Sequence, residues 1–125
     1  MNVLLDSDIV IEILRSRDSV ILSQWNTLAN SGEDIFFSPV TAAEVWAGAR
    51  PSERQAISSF FPMLICAACE YEIGNLAGEY LRRFFKSHNL QIGDALIAAT
   101  AVQNQAALWT RNSKHYPMPG LTFYS

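Results

Sequence analysis

Three acids stand nearly alone in apolar stretches of the chain. Asp6 closes the run Asn2 to Leu5, Glu44 is the only charged residue between Asp34 and Arg50, and Asp94 the only formally charged one between Lys86 and Arg111. A carboxylate in apolar surroundings is costly unless it finds a cation, a helix terminus or a proton. No lysine or arginine lies close to these three in sequence. Bland readings exist for each. Asp94 can cap the helix that follows it, Asp6 or the neighbouring Asp8 can cap the first helix, and Glu44 can pair with a distant arginine. Capping does not cover Glu44, which falls in mid-helix where no backbone donor is free. Carboxylates brought together repel and cannot all ionise without a divalent cation among them. Oxygen-only ligands suit Mg²⁺ or Mn²⁺, and such an ion can activate water and neutralise charge developing on a phosphodiester. The chemistry these acids point to is metal-assisted phosphodiester hydrolysis.

The elements that must position them follow from hydrophobic periodicity. Asn2 to Leu5 reads as a strand, and Ile9, Val10, Ile13 and Leu14 at helical spacing as the helix after it. Asp18 can cap a second helix through Ile21, Trp25 and Leu28, ending near Gly32, before a strand at Ile35 to Phe37. Ser38-Pro39 signals a helix running to about Gly48. Ser52 to Gln55 resembles a capping box opening another helix, and Met63 to Cys66 is a third apolar run. A long helix from about Glu70 carries Ile73, Leu76, Tyr80, Leu81 and Phe84 on one face, with Gly74 and Gly78 read as sites of close packing. Gly93-Asp94 opens an apolar helix to about Gln103, Ala106 to Trp109 is a fourth strand, and Leu121 to Tyr124 a candidate fifth. The alternation predicts an α/β fold with a mostly parallel central sheet of four to five strands covered by helices on both faces. Ligands in such folds sit at the carboxyl ends of strands, where a central first strand would place Asp6 and the helices could bring Glu44 and Asp94.

Composition sets the frame. The 125 residues are 50% hydrophobic and 17% charged, the balance of a core-forming chain. No apolar stretch approaches the roughly 20 residues of a membrane span, and no basic, then apolar, leader is visible, so a cytoplasmic protein is expected. Twelve acids against nine bases argue, at first sight, against a nucleic-acid partner. Removing Asp6, Glu44 and Asp94 leaves the remainder neutral, so the acid excess is the proposed metal site itself.

In its motifs the chain resembles PIN-domain ribonucleases, in particular VapC-type toxins of toxin–antitoxin pairs. The resemblance rests on Leu4 to Asp8, Ser38 to Val45 with Gly48, Ile92 to Ala101, and Trp109 to Tyr116. It implies a PIN-like nuclease domain over residues 1–125, with Asp6 and Asp94 as direct ligands of Mg²⁺ or Mn²⁺ and Glu44 acting through water or as base. It implies further an RNA substrate, an antitoxin partner and a homodimer. The pattern also places an acid where His115 stands here, leaving Asn112 as the polar candidate in that segment and Asp8 as a possible substitute acid. Arg111 and Lys114, and more remotely Arg82 and Arg83, are candidate contacts to an RNA backbone.

Two rival functions remain. Asp6-Ser7-Asp8 after an apolar strand also resembles the aspartyl-nucleophile opening of haloacid dehalogenase-like phosphatases, in which Asp6 would attack phosphate, although Ala98 stands where that family has a further acid. An inert PIN-like module that only binds RNA or protein is the other. Cys66 and Cys69 have redox spacing but no second metal-ligating pair and read as structural filler, and Trp25, Trp46 and Trp109 read as core.

Overall fold

The computed structural model describes residues 1–125. Four parallel strands, β1 (Asn2–Leu5), β2 (Asp34–Phe37), β3 (Ile65–Cys66) and β4 (Ala106–Trp109), form one sheet in the order β3-β2-β1-β4. Six helices connect them: α1 (Ser7–Arg15), α2 (Ser19–Ala29), α3 (Pro39–Ala47), α4 (Arg54–Phe60), α5 (Tyr71–His88) and α6 (Ile92–Gln103). The α/β class and the central place of the first strand are as expected.

β1 is buried on both faces, and its alternating side chains serve two cores. Leu4 packs with Ile73, Ala77, Ala95, Ala98 and Leu108 beneath α5 and α6. Val3 and Leu5 pack on the other face with Ile9, Ile21, Leu28, Ile57 and Trp109 beneath α1, α2 and α4. Truncating a fully buried leucine such as Leu4 or Leu108 would cost about 2–5 kcal/mol. β1 lies between β2, reached through α1 and α2, and β4, so the strand order reverses at β1 and β4. Their carboxyl ends are the crevice where open parallel sheets bind ligands.

Several expectations change. Leu121 to Tyr124 is not a fifth strand: it touches the sheet by one bridge, Leu108 to Phe123, with the Leu108 N–H donating to the Thr122 carbonyl at 2.8 Å and the Tyr124 N–H to the Leu108 carbonyl at 2.9 Å, and the ladder goes no further. The capping box lies earlier than Ser52: Glu53 accepts the Arg50 N–H at 2.9 Å, and α4 begins only at Arg54. Gly74 and Gly78 pack against nothing, since an added Cβ would meet no atom within 4 Å. Trp46 is 40% exposed rather than core, on the outer side of a helix whose inner side is Thr41 and Val45. Cys66 and Cys69 are free and exposed, so they fill no core.

Candidate metal centre

Asp6 follows the last residue of β1 and caps α1, its Oδ1 accepting the Ser7 N–H at 2.7 Å. Its own N–H donates to the Trp109 carbonyl at 2.9 Å, so the ladder between β1 and β4 runs on to the acid itself. Its Oδ2 accepts the Tyr116 hydroxyl at 2.7 Å. The residue is 7% exposed. Asp94 comes from α6, but not as its cap: the helix starts at Ile92 with Gln91 in the capping position, which puts Asp94 in the first turn. There the helix dipole favours a carboxylate, and its oxygens meet the Tyr116 hydroxyl at 3.4 Å and His115 Nε2 at 3.1 Å.

Glu44 approaches from α3. This helix is fixed to the end of β1 by the buried Thr41, whose hydroxyl donates to the Leu5 carbonyl at 3.5 Å. Glu44 is exposed at the rim, so the burial argument made from its apolar neighbours does not hold: Val45 and Thr41 face inward, Glu44 outward. No arginine pairs with it. It accepts the Ser7 hydroxyl at 2.5 Å and lies over the first turn of α6, where a Cβ on Gly93 would sit 3.4 Å from its Oε2. A side chain at Gly93 would thus stand in contact with the Glu44 carboxylate.

Asp8 is not the helix cap. It accepts the Arg111 N–H at 3.0 Å and the Thr110 hydroxyl at 3.5 Å, tying α1 to the segment after β4, and its Oδ1 is buried with no partner. Burial, then the charge of Asp6, pushes its carboxyl up to about 6. Asp94 is also raised, first by burial, against the lowering influence of His115. Tyr116 is raised too, by burial and by the nearby Asp6 charge, so its hydroxyl keeps its proton and donates.

These side chains line one cleft of about 190 Å³: Asp6, Ser7, Asp8, Glu44, Asp94, Asn112, His115 and Tyr116. The structure thus brings together Asp6, Glu44, Asp94, Asp8 and Asn112, and adds Ser7, His115 and Tyr116, which sequence reasoning did not assign to the site. The only signal for Tyr116 was a phenol beside His115 in a segment already singled out. The basic candidates fare differently. The Arg111 guanidinium is held by Glu12 at 3.0 Å and reaches Asp18 at 3.9 Å. Lys114 is exposed beside the cleft, while Arg82 and Arg83 lie on α5 outside its lining, with Arg83 over the Phe84 ring at 5.0 Å.

The donor set is carboxylate, amide and hydroxyl oxygen with one imidazole and no thiolate, which fits a hard divalent cation. An orphaned carboxylate oxygen buried on Asp8 fits it as well. No three acidic, histidine or cysteine side chains converge as a ready cage, so water would complete the coordination of an ion here.

The profile of the PIN domain family matches residues 3–121. Over 118 residues the chain is 36% identical to Ribonuclease VapC19 of Mycobacterium tuberculosis, covering 92% of each protein. It is 34% identical to Ribonuclease VapC10 of the same organism, over 93% of this chain and 86% of that one. Among solved structures, the VapBC2 complex of Rickettsia felis bound to promoter DNA contains a chain with TM-score 0.82 and 23% identity, covering 99% of this chain and 98% of that one.

Proposed function

The chain belongs to the PIN domain family, and from that premise we propose that it is a metal-dependent endoribonuclease, the toxin of a toxin–antitoxin pair, with Asp6, Glu44 and Asp94 as its working acids. The observation that carries this reading is the gathering of four carboxylates, without one lysine or arginine partner, at the carboxyl ends of β1 and β4. Ribonucleases of this family generally depend on a divalent metal; the oxygen donors here favour Mg²⁺ or Mn²⁺. An ion bound there supplies neutralisation of phosphodiester charge and a water of lowered pKa.

The chain's own residues do the rest. Asp6 and Asp94 would hold such an ion, their carboxylates oriented by Ser7, Tyr116 and His115. Glu44, exposed at the rim and steered by the Ser7 hydroxyl, can accept a proton from a water in the cleft. Asp8 keeps the segment after β4 in place and adds charge to the ion's surroundings. Asn112 presents its amide to substrate, and Lys114 is the basic side chain free to meet an RNA phosphate. Arg111, engaged by Glu12, acts in holding the segment rather than in binding RNA.

The relatives' names bring RNA as substrate to this chain, and a toxin–antitoxin complex among its structural neighbours brings a cognate antitoxin as binding partner; a second copy of the chain in a homodimer is proposed from the motif resemblance alone. No helix is long and apolar enough to cross a membrane, in keeping with action in the cytoplasm. A phosphatase with Asp6 as nucleophile would leave Glu44 without a task, and an inert binding module would leave the whole acidic cleft without one. The test is cleavage of RNA by partner-free protein with Mg²⁺ or Mn²⁺ against EDTA, alongside Asp6→Asn and Asp94→Asn. Metal-dependent cleavage lost in both variants supports the reading; equal behaviour of all three proteins sinks it.

A further inference from the structure

We infer that the Tyr116 hydroxyl is a positioning group for the metal centre, tying Asp6 to Asp94 and fixing the Asp6 carboxylate for the ion. The inference rests on the nuclease reading and adds a residue to it. The Tyr116 ring is 5% exposed and belongs to the core that holds Leu4, Ala95 and Leu108. A phenylalanine would serve that core without bringing in a polar group that must find a partner. The hydroxyl instead meets two carboxylates from different elements, Asp6 Oδ2 at 2.7 Å and Asp94 Oδ1 at 3.4 Å.

Each oxygen of Asp6 then has one donor, the Ser7 N–H on Oδ1 and the Tyr116 hydroxyl on Oδ2, both at 2.7 Å. Two donors on opposite oxygens stop rotation of the carboxylate, and each oxygen keeps a second lone pair for an ion. Asp94 is held mainly by His115 Nε2 on Oδ2 at 3.1 Å, since the single Tyr116 proton is turned to Asp6 and reaches Asp94 Oδ1 only weakly, at 3.4 Å. The two adjacent donors sit in a segment anchored to α1 through the Arg111 N–H on Asp8. Donors behind metal ligands set ligand orientation, and losing one typically weakens metal binding by about 10- to 100-fold.

The experiment titrates Mn²⁺ into EDTA-stripped wild type and Tyr116→Phe by calorimetry, and measures the Mg²⁺ concentration giving half-maximal RNA cleavage. Phenylalanine keeps the ring, and a melting curve checks that the variant is folded. The expected result is Mn²⁺ binding weakened about 10-fold, an equal rise in half-saturating Mg²⁺, and kcat at saturating Mg²⁺ within about 2-fold of wild type. Unchanged or tighter Mn²⁺ binding by the folded variant overturns the role of Tyr116 while leaving the metal centre standing. Wild type that binds no Mn²⁺ overturns the metal centre and the inference together. Should the variant fail to fold, NMR of wild type decides: the Tyr116 hydroxyl proton should exchange slowly and persist at saturating Mg²⁺, and its absence or loss overturns the inference.

Discussion

The acids Glu12 and Glu53 and the acids of the cleft are the same chemical groups in opposite company. Glu12, although buried, has its Oε1 between Arg17 at 2.6 Å and Arg111 at 3.0 Å. Glu53 accepts from Arg15 Nε at 2.9 Å and from the Arg50 N–H, and Arg15, the leading cause, holds its carboxyl down at about 2. Asp6, Asp8, Glu44 and Asp94 have no such partner, and Asp8 is pushed the other way, to about 6. None of the nine lysines and arginines makes an ion pair with a cleft acid. The contrast separates carboxylates that fasten the fold from carboxylates left in need of a cation, and it does so within a few turns of α1, where Asp8 and Glu12 share one helix.

Breaking the second set should cost chemistry rather than stability. Asp94→Asn is expected to lower RNA cleavage on the order of 10³-fold or more in a timed gel assay, with the melting temperature unchanged or raised. Breaking the first set should do the reverse. Glu12→Gln leaves two guanidinium groups without their shared partner and is expected to lower stability by about 1–3 kcal/mol in urea denaturation, below the range for fully buried pairs because both arginines reach solvent. Cleavage should survive better than in Asp94→Asn at temperatures where the variant is folded.

The pH dependences sharpen the same contrast. Asp8 has a folded pKa of about 6 against an ordinary 3.8, so its ionisation opposes folding above pH 6 and the cost vanishes as pH falls to 3.8. In metal-free protein Asp8→Asn is therefore expected to raise stability at pH 7.5 by about 1 kcal/mol, allowing for partial solvent access, and to leave it unchanged near pH 4. Glu53 has the opposite sign: with its pKa lowered to about 2 from 4.5, its contribution is complete above pH 4.5 and is lost as pH falls towards 2. Glu53→Gln should give the smallest effect, a slight fall in melting temperature at neutral pH that narrows below pH 4.5.

Much of this was legible in local pattern. Periodicity and caps located the four strands and six helices, including Asp18 as the cap of α2 and Pro39 in the first turn of α3. Asp6, Glu44 and Asp94 stood out because charge is scarce around them, and they do share a cleft. What failed depended on direction or on distance. Apolar sequence neighbours do not bury Glu44, because successive helix residues point to different sides. Asp94 and Asp8 resemble caps until the helix starts are placed, and a shift of two residues for Asp8 and three for Asp94 changes a cap into a first-turn acid facing the cleft. Tyr116 ends the last motif segment with no role of its own in the sequence, and its ring is core; the reach of its hydroxyl exists only because β4 pairs with β1, 110 residues away from Asp6 in sequence. The same pairing delivers the Arg111 N–H to Asp8.

The proposal that the cleft acids lack lysine and arginine partners because they hold a divalent ion is checked by the melting temperature of EDTA-stripped protein titrated with Mg²⁺. An ion that binds only the folded state adds about 2.7 kcal/mol at 100 times its Kd. The account predicts a melting temperature that climbs with Mg²⁺ in wild type and in Glu12→Gln, and stays flat in a protein carrying both Asp6→Asn and Asp94→Asn. A flat response in wild type, or an equal climb in the doubly substituted protein, would contradict it.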